Sequence, residues 1–246
     1  MKKSIHYGLN SVNPAAYGGW PGWLNACVAD ARELAVLAAR AGFTASAVFN
    51  EEATVERLRA DVASLAGISV AGDTIWLTYS GHGGRSPSSG AWDGYTETLC
   101  FYNGELADTA FREMLCQFVP GVRIIVDLDS CFSGGMNRAA TRIRSKPGFV
   151  RGTVEMPSSS RGTLDAGVML RSACTSTETA SDGEDNGAYT AGLLKMADVA
   201  IDGKRDLTWQ GWIEATQRYM AKEFPSQHPQ VSRYGSELDW NVSVTD

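Results

Sequence analysis

Short apolar segments alternate with amphipathic helical segments along most of this chain, so that few folds can accommodate it. The runs 73–80 and 122–128 each contain consecutive apolar residues, at 75–77 and 124–126, which is typical of strands buried on both faces of a sheet. The helical segments instead repeat apolar residues at spacings of three and four, as Val55, Leu58 and Val62 do. This alternation predicts an α/β fold in which a mainly parallel central sheet carries helices on both faces.

Capping residues and glycines set the expected ends of these elements. Asp30, followed three residues later by Glu33, is interpreted as the N-cap of a helix that ends at Gly42. Thr54, Asp108 and Thr208 are predicted N-caps of three later helices, and one more helix is expected at 188–200. The predicted strands are 4–9, 43–49, 73–80, 122–128 and 168–173. In a sheet of this kind, ligands bind beyond the carboxyl ends of the strands.

Length and composition limit the domain count, the compartment and the partners. The 246 residues allow one large domain or two small ones. The net charge of −6 argues against nucleic acid as a partner. Because no apolar run suits a membrane span or a signal peptide, we expect a cytoplasmic protein with no membrane partner. The five cysteines include no Cys-x-x-Cys pair, which argues against a disulfide framework or a zinc ribbon.

The stretch 138–161 differs in charge from the rest of the chain. It holds six basic residues against one acidic residue, Glu155, so its net charge is +5 and the remainder of the chain sums to −11. Its serine, glycine and proline content predicts a long exposed loop, and a solvated basic surface is the simplest interpretation. The basic residues are Arg138, Arg142, Arg144, Lys146, Arg151 and Arg161.

Two predicted strands run directly into glycine-rich turns that hold reactive side chains. His82 follows the strand 73–80, and Cys131 follows the strand 122–128. If these strands are neighbours, the imidazole can take the thiol proton and the thiolate can attack a carbonyl carbon. The backbone N–H groups of Gly83 and Cys131 could then hold the oxyanion. A cysteine at a strand end is nevertheless more often buried and inert, so the residues alone leave both interpretations open.

The motif Tyr-Ser-Gly-His-Gly around His82, with Asp-Ser-Cys-Phe-Ser-Gly around Cys131, resembles the metacaspase branch of the caspase-like cysteine peptidases. The two residues are 49 positions apart, which fits the separation of about 50 known for caspases. Further segments that resemble the family lie at 24–31, 93–97, 172–174 and 187–190, although Ala26 and Thr96 depart from its pattern. The caspase pentapeptide around the cysteine is absent, which favours a metacaspase over a true caspase.

The resemblance covers about residues 4–235 and implies a caspase-like sandwich that forms a single domain over 1–246. Within that domain, it implies a large-subunit-like part at about 1–137 and a small-subunit-like part at 164–246, joined by the basic exposed loop at 138–163. It also implies a monomer.

The resemblance further implies an endopeptidase that cuts after arginine or lysine, with peptide or protein substrates as its partners. It places Asp30, Ser80 and Asp129 in the pocket for the basic side chain. Opposing carboxylates are what a buried guanidinium or ammonium group requires. Because Asp30 is also a good N-cap, a structural role for it stays open beside the pocket role.

Self-cleavage and calcium are two further expectations. A protease that cuts after basic residues would have six candidate autocleavage sites in the stretch 138–161, just after its own nucleophile. We expect no cofactor to be required, but calcium activates many metacaspases and prefers carboxylate ligands. The candidate ligands are Asp93, Glu97, Glu105 and Asp108.

Two other classes of function compete with the protease. A catalytically silent caspase-like scaffold that binds peptides is the main alternative, and the presence of both His82 and Cys131 argues against it. A different cysteine hydrolase or a nucleotide-binding α/β module is the other. The chain contains no phosphate-binding loop, no dinucleotide fingerprint and no G-x-S-x-G motif, which disfavours that class.

Overall fold

A computed structural model describes residues 1–87, 95–130, 162–175, 178, 180–202 and 205–245. These residues form nine strands and five α-helices, and the alternation along the chain confirms the predicted α/β class. In chain order the elements are β1 (Lys2–Gly8), α1 (Cys27–Arg40), β2 (Thr44–Phe49), α2 (Val55–Ile68), β3 (Thr74–Ser80), β4 (Gly83–Pro87), β5 (Tyr95–Phe101), β6 (Gly104–Ala107), α3 (Asp108–Leu115), β7 (Arg123–Asp129), β8 (Gly167–Ser172), α4 (Ala188–Asp202), α5 (Trp209–Glu223) and β9 (Gln230–Gly235).

Six strands form the central sheet in the order β2-β1-β3-β7-β8-β9. All neighbouring pairs are parallel except β8 with β9, which is antiparallel. The last residues of three adjacent strands lie side by side, because Gly8 pairs with Ser80 and Ser80 pairs with Asp129. The carboxyl ends of β1, β3 and β7 therefore meet at one edge, where a parallel sheet places its ligand site.

The sheet carries an apolar core on each face, as the period of two along its strands requires. From β3, Ile75 and Leu77 point into a core that includes Leu58 of α2 and Leu115 of α3. Trp76, between them, points into the opposite core with residues of α1, α4 and α5. Helices thus cover both faces, as the sequence predicts.

A second, three-stranded antiparallel sheet in the order β4-β5-β6 was not among the predicted elements. The strand β4 is rich in glycine and polar residues and shows no apolar alternation, so its pairing with β5 makes it a strand. The edge strand β9 was also not predicted, and its residues are mostly half-buried or exposed.

Of the four predicted helix N-caps, two are confirmed and two are wrong. Thr54 and Thr208 each accept a hydrogen bond from a backbone N–H in the first turn of their helix, as predicted. Asp30 is not an N-cap, because α1 begins at Cys27 and Asp30 lies inside its first turn. Asp108 is the first residue of α3 and not its N-cap, although its carboxylate accepts from the Thr109 N–H.

Among the described residues, every helix is too short or too polar to traverse a lipid bilayer.

A buried ion pair lies within the core that α1, α4 and α5 cover. Arg171 donates to both carboxylate oxygens of Asp127 at 2.8 and 2.5 Å, and the two side chains are 0% and 2% exposed. Asp127 also accepts from the Trp76 indole and the Tyr189 hydroxyl, each at 2.7 Å. These donors offset the cost of burying the carboxylate.

We expect Asp127→Ala to lower the free energy of unfolding by about 3–5 kcal/mol, because it leaves Arg171 charged and unpaired in the core. The matched control is Asp198→Ala, which removes an exposed ion pair to Arg40 with side chains 57% and 49% exposed. That variant should lose less than about 1 kcal/mol. Urea denaturation of both variants measures the difference, and equal losses would contradict the assigned role of the buried pair.

Candidate active site

The predicted pocket residues Asp30, Ser80 and Asp129 lie together at the carboxyl edge of the sheet. Ser80 and Asp129 are the paired last residues of β3 and β7. Asp30 comes from α1, and its carboxylate accepts a hydrogen bond from the Ser80 hydroxyl at 2.6 Å. The two carboxylates are almost fully buried, with Asp30 1% and Asp129 8% exposed. We call Asp30 and Asp129 the acidic pair.

Residues at the start of α4, in the C-terminal part of the chain, donate hydrogen bonds to the acidic pair. Asp30 Oδ1 accepts from the Asn186 side-chain amide at 3.1 Å and from the Gly187 N–H at 3.0 Å. Asp129 Oδ2 accepts from the backbone N–H and the hydroxyl of Thr190, at 3.0 and 2.8 Å. Asp129 therefore accepts from an N–H in the first turn of α4, and Asp30 accepts from donors just before that helix.

Burial raises the pKa of both carboxyl groups above the ordinary value. For Asp30, burial is the largest cause, followed by the charge of Asp129, while hydrogen bonds from Ser80, Asn186 and Gly187 oppose the rise of its pKa. For Asp129, burial again dominates, and the two bonds from Thr190 oppose the rise of its pKa. A cation placed near two buried carboxyl groups stabilises their ionised form.

His82 lies between β3 and β4, at the same edge as the acidic pair. Its backbone is fixed by the Cys100 N–H, which donates to the His82 carbonyl at 2.9 Å, and by the Tyr79 hydroxyl at 2.8 Å. Its ring nitrogen Nε2 lies 3.1 Å from the Gly22 carbonyl oxygen. A carbonyl oxygen only accepts, so Nε2 carries the proton and Nδ1 holds the lone pair of the neutral ring.

Burial also lowers the pKa of His82 below 6.5, against smaller raising effects of the Gly22 carbonyl and the Asp182 charge. The imidazole is therefore neutral near pH 7, as a general base must be before it accepts a proton. His6 differs in kind, because it is fully buried between Thr78 and Ser4 inside the fold and its pKa is lowered to about 3.

The loop before α1 supplies contacts to His82 that the sequence analysis did not identify. The Trp20 ring lies 4.6 Å from the His82 ring, centroid to centroid, and the Gly22 carbonyl accepts from that ring. Gly22 has a φ of +55°, and a Cβ there would lie 3.1 Å from both the His82 and the Trp20 rings. The glycine therefore serves both the turn and the close approach. The Trp-Pro-Gly sequence at 20–22 was the available signal.

Asp182 joins this loop to the C-terminal part of the chain. Its two carboxylate oxygens accept from the backbone N–H groups of Asn25 and Ala26, at 2.8 and 3.1 Å. Those amides lie just before α1, and the Asn10 side chain accepts from the Val28 N–H in the first turn at 2.9 Å. Side chains from distant parts of the chain thus accept hydrogen bonds from the N–H groups at the start of α1. These acceptors explain why the helix begins before Asp30.

Several predicted residues lie outside the described ones. Cys131 follows Ser130, the last described residue before the gap, and its proposed thiol and oxyanion roles stay predictions. Gly83, the other predicted oxyanion donor, is the first residue of β4 directly after His82. Also outside are Asp93 and the six candidate autocleavage residues of the stretch 138–161.

The described candidate calcium ligands do not form one cluster. Asp108 accepts from the Thr96 hydroxyl at 2.6 Å, whereas Glu97, the next residue of β5, points to the other face of that strand. Glu105 accepts from the Ser86 and Thr98 hydroxyls. Within the described part of the chain, no three acidic, histidine or cysteine side chains are placed to hold a metal ion.

The sequence of this chain is similar to those of several known proteins. A family model described as the caspase domain matches residues 12–236. Metacaspase-4 from Arabidopsis thaliana is 30% identical over 149 residues, which is 55% of this chain and 34% of that protein. Metacaspase-6 from the same plant is 28% identical over 148 residues, which is 55% of this chain and 39% of that protein. The chain therefore spans well under half the length of these curated relatives.

A solved structure matches the whole fold. The crystal structure of protein GSU0716 from Geobacter sulfurreducens superposes with a TM-score of 0.78 at 30% sequence identity. The match covers 96% of this chain and 94% of that one. The likeness extends through both sides of the basic stretch, so the central sheet and its flanking helices form a shared architecture.

We expect Gly22→Ala to displace the His82 ring, because a methyl group would press on it while the backbone holds a positive φ. The control is Gly19→Ala, which has a φ of +91° but no neighbour within 4 Å of the added methyl. Both variants should lose about 1 kcal/mol of stability from backbone strain. Only Gly22→Ala should move the His82 ring resonances and shift its NMR-measured pKa. Unchanged His82 resonances in Gly22→Ala would contradict the proposed role of Gly22 in positioning the His82 ring.

Proposed function

Because the chain belongs to the caspase-domain family, we propose that it is a cysteine endopeptidase that hydrolyses peptide bonds after arginine or lysine. The proposal rests above all on one arrangement, in which a neutral, half-buried His82 and the acidic pair share the sheet edge at which β7 ends. The sequence continues from β7 through Ser130 to Cys131, which supplies the thiol of the proposed dyad.

In the proposed reaction, Nδ1 of His82 removes the thiol proton of Cys131, and the thiolate attacks the carbonyl carbon of the scissile bond. The resulting oxyanion would be held by backbone N–H groups, for which Gly83 and Cys131 are the candidates. The imidazolium then gives its proton to the leaving amine as the C–N bond breaks. Water, deprotonated by His82, hydrolyses the thioester and restores the free thiol.

The acidic pair supports the choice of substrate. A guanidinium or ammonium group stabilises the ionised form of these two buried carboxyl groups, whose pKa values are raised. The same pair repels the carboxylate of an aspartyl substrate. The Ser80 hydroxyl, bonded to Asp30, adds a polar group at the same position. Arginine can bond two carboxylate oxygens at once, which favours it for geometric reasons.

A fluorogenic peptide panel that varies the residue before the scissile bond tests this proposal. We expect turnover of arginyl and lysyl peptides and none of the aspartyl peptide. Asp30→Asn should lower kcat/KM for the arginyl peptide by about 100-fold, because it removes one charge of the pocket. The control Asp198→Asn changes an exposed aspartate and should keep parental turnover. Cleavage after aspartate, or equal turnover by Asp30→Asn and parent, would refute the specificity.

Thiol labelling separates the peptidase from the silent scaffold. A thiol-reactive arginyl chloromethylketone should add one equivalent to the parent, and Cys131→Ala should take up none. A scaffold that binds peptides without the dyad would bind the arginyl peptide but neither cleave it nor react with the reagent. Running the turnover assay with added calcium and with a chelator tests calcium as a candidate activator.

Self-cleavage is a separate proposal that intact mass spectrometry tests. The parent should yield two fragments, the first ending at one of the six basic residues in 138–161, because that stretch matches the proposed specificity. The Cys131→Ala variant should give one mass. A single uncut mass for the parent, under conditions where it turns over the arginyl peptide, would exclude autocleavage.

A further inference from the structure

The start of α4 contacts both members of the acidic pair, and these contacts assign it a role at the site. We propose that Thr190 and Asn186 are positioning residues that fix Asp129 and Asp30 for binding a basic substrate side chain. The consequence for substrate rests on the proposed function, whereas the effect on the carboxyl groups does not. Neither residue has to touch the substrate for this role.

Thr190 holds Asp129 through two bonds to a single oxygen. Its backbone N–H and its hydroxyl donate to Oδ2 at 3.0 and 2.8 Å. Both side chains are nearly inaccessible, with Thr190 1% and Asp129 8% exposed, so water cannot readily replace either bond. Because both bonds use Oδ2, they fix the plane of the carboxylate and leave Oδ1 to other partners.

Asn186 and Gly187 hold Asp30 in the corresponding way. The Asn186 amide and the Gly187 N–H donate to Oδ1, while the Ser80 hydroxyl donates to Oδ2. Gly187 allows this approach because it lacks a side chain. A Cβ at that position would lie 2.6 Å from an oxygen of Asp129 and 3.1 Å from one of Asp30. The backbone immediately before α4 therefore approaches both carboxylates closely.

These bonds also set the charge of the pair. Burial and mutual repulsion favour the protonated carboxyl groups, and the nearby charges of Asp182 and Asp127 act on Asp129 in the same direction. The donors from Thr190, Asn186 and Gly187 oppose this, and the positive end of the α4 dipole adds to their effect. Removing a donor should leave the carboxyl group less ionised and less firmly oriented, and both changes weaken the binding of a cation.

Thr190→Val tests the inference with little change of shape, because valine keeps the backbone N–H and removes only the hydroxyl. We expect KM for the arginyl peptide to rise by about 10-fold, the size of one hydrogen bond to a charged group, while kcat changes by less than about 3-fold. Thr190→Ser restores the hydroxyl and should return KM to within about 2-fold of the parent. Asn186→Ala, at a half-buried position, should raise KM through Asp30 by a similar factor.

The matched control is Thr216→Val. Thr216 is equally buried, and its hydroxyl bonds the Trp212 carbonyl within α5 and does not contact the acidic pair. This variant should alter thermal stability and leave KM at the parental value. Parental KM in Thr190→Val, or the same KM change in Thr190→Val and Thr216→Val, would overturn the inference.

Inhibition by benzamidine across pH gives a second readout that a merely structural role would not move. Since the pKa values of the pair are raised, the affinity for this cation should fall with decreasing pH while ordinary carboxyl groups are still ionised. Thr190→Val should move that fall to higher pH, and Thr216→Val should not. A superimposable pH dependence in Thr190→Val and parent would contradict the inference.

A measurement that needs no activity separates this inference from the proposed function. In protein with ¹³C-labelled aspartate, Thr190→Val should raise the pKa of Asp129, whether or not the chain is a peptidase. If the parent cleaves no basic peptide but this pKa rises, the proposed function fails and the positioning role stands. If the parent cleaves arginyl peptides and the pKa is unchanged, the positioning role fails alone.

Discussion

The rest of the site depends on the contact between the start of α4 and two buried carboxylates at the sheet edge. Asp129 ends β7 and Asp30 belongs to α1, so the contact joins a central strand, a helix from the N-terminal part and a helix from the C-terminal part. A helix start needs acceptors for its first N–H groups, and buried carboxylates need donors. The N–H groups at the start of α4 therefore donate to the carboxylates, which need donors because they are buried. These hydrogen bonds also hold distant parts of the chain together.

The candidate base is oriented by a different set of contacts, although the two sets share a loop. The loop before α1 meets His82 through Gly22 and Trp20, and a few residues later it meets Asp182 through Asn25 and Ala26. Asp182 lies in the segment that leads to α4. The orientation of the imidazole and the position of the acidic pair are thus connected through backbone amides and one carboxylate, and not through direct contact between His82 and the pair.

The sequence predicts the layers of the fold and the place of the site, because apolar period and turn chemistry are local signals. Thr54 and Thr208 cap their helices as predicted, since a cap needs only residues three positions apart. Asp30 was wrongly predicted to be the N-cap of α1, because the donors that decide its role, such as Gly187, lie 157 residues away. The strand β4 was missed because its glycine-rich sequence becomes a strand only through pairing with β5.

The same burial that makes the acidic pair costly also makes it selective. An exposed carboxylate would bind a cation weakly, because water competes for both partners. Here the pair has already lost most of its water, and hydrogen bonds from α4 and Ser80 replace only part of that hydration, which is why the pKa values of both groups stay raised. A bound cation stabilises the negative charge of the pair further, whereas a bound anion destabilises it. Selectivity of this kind follows from incomplete compensation, since a fully neutralised pair would have little affinity left for a basic side chain.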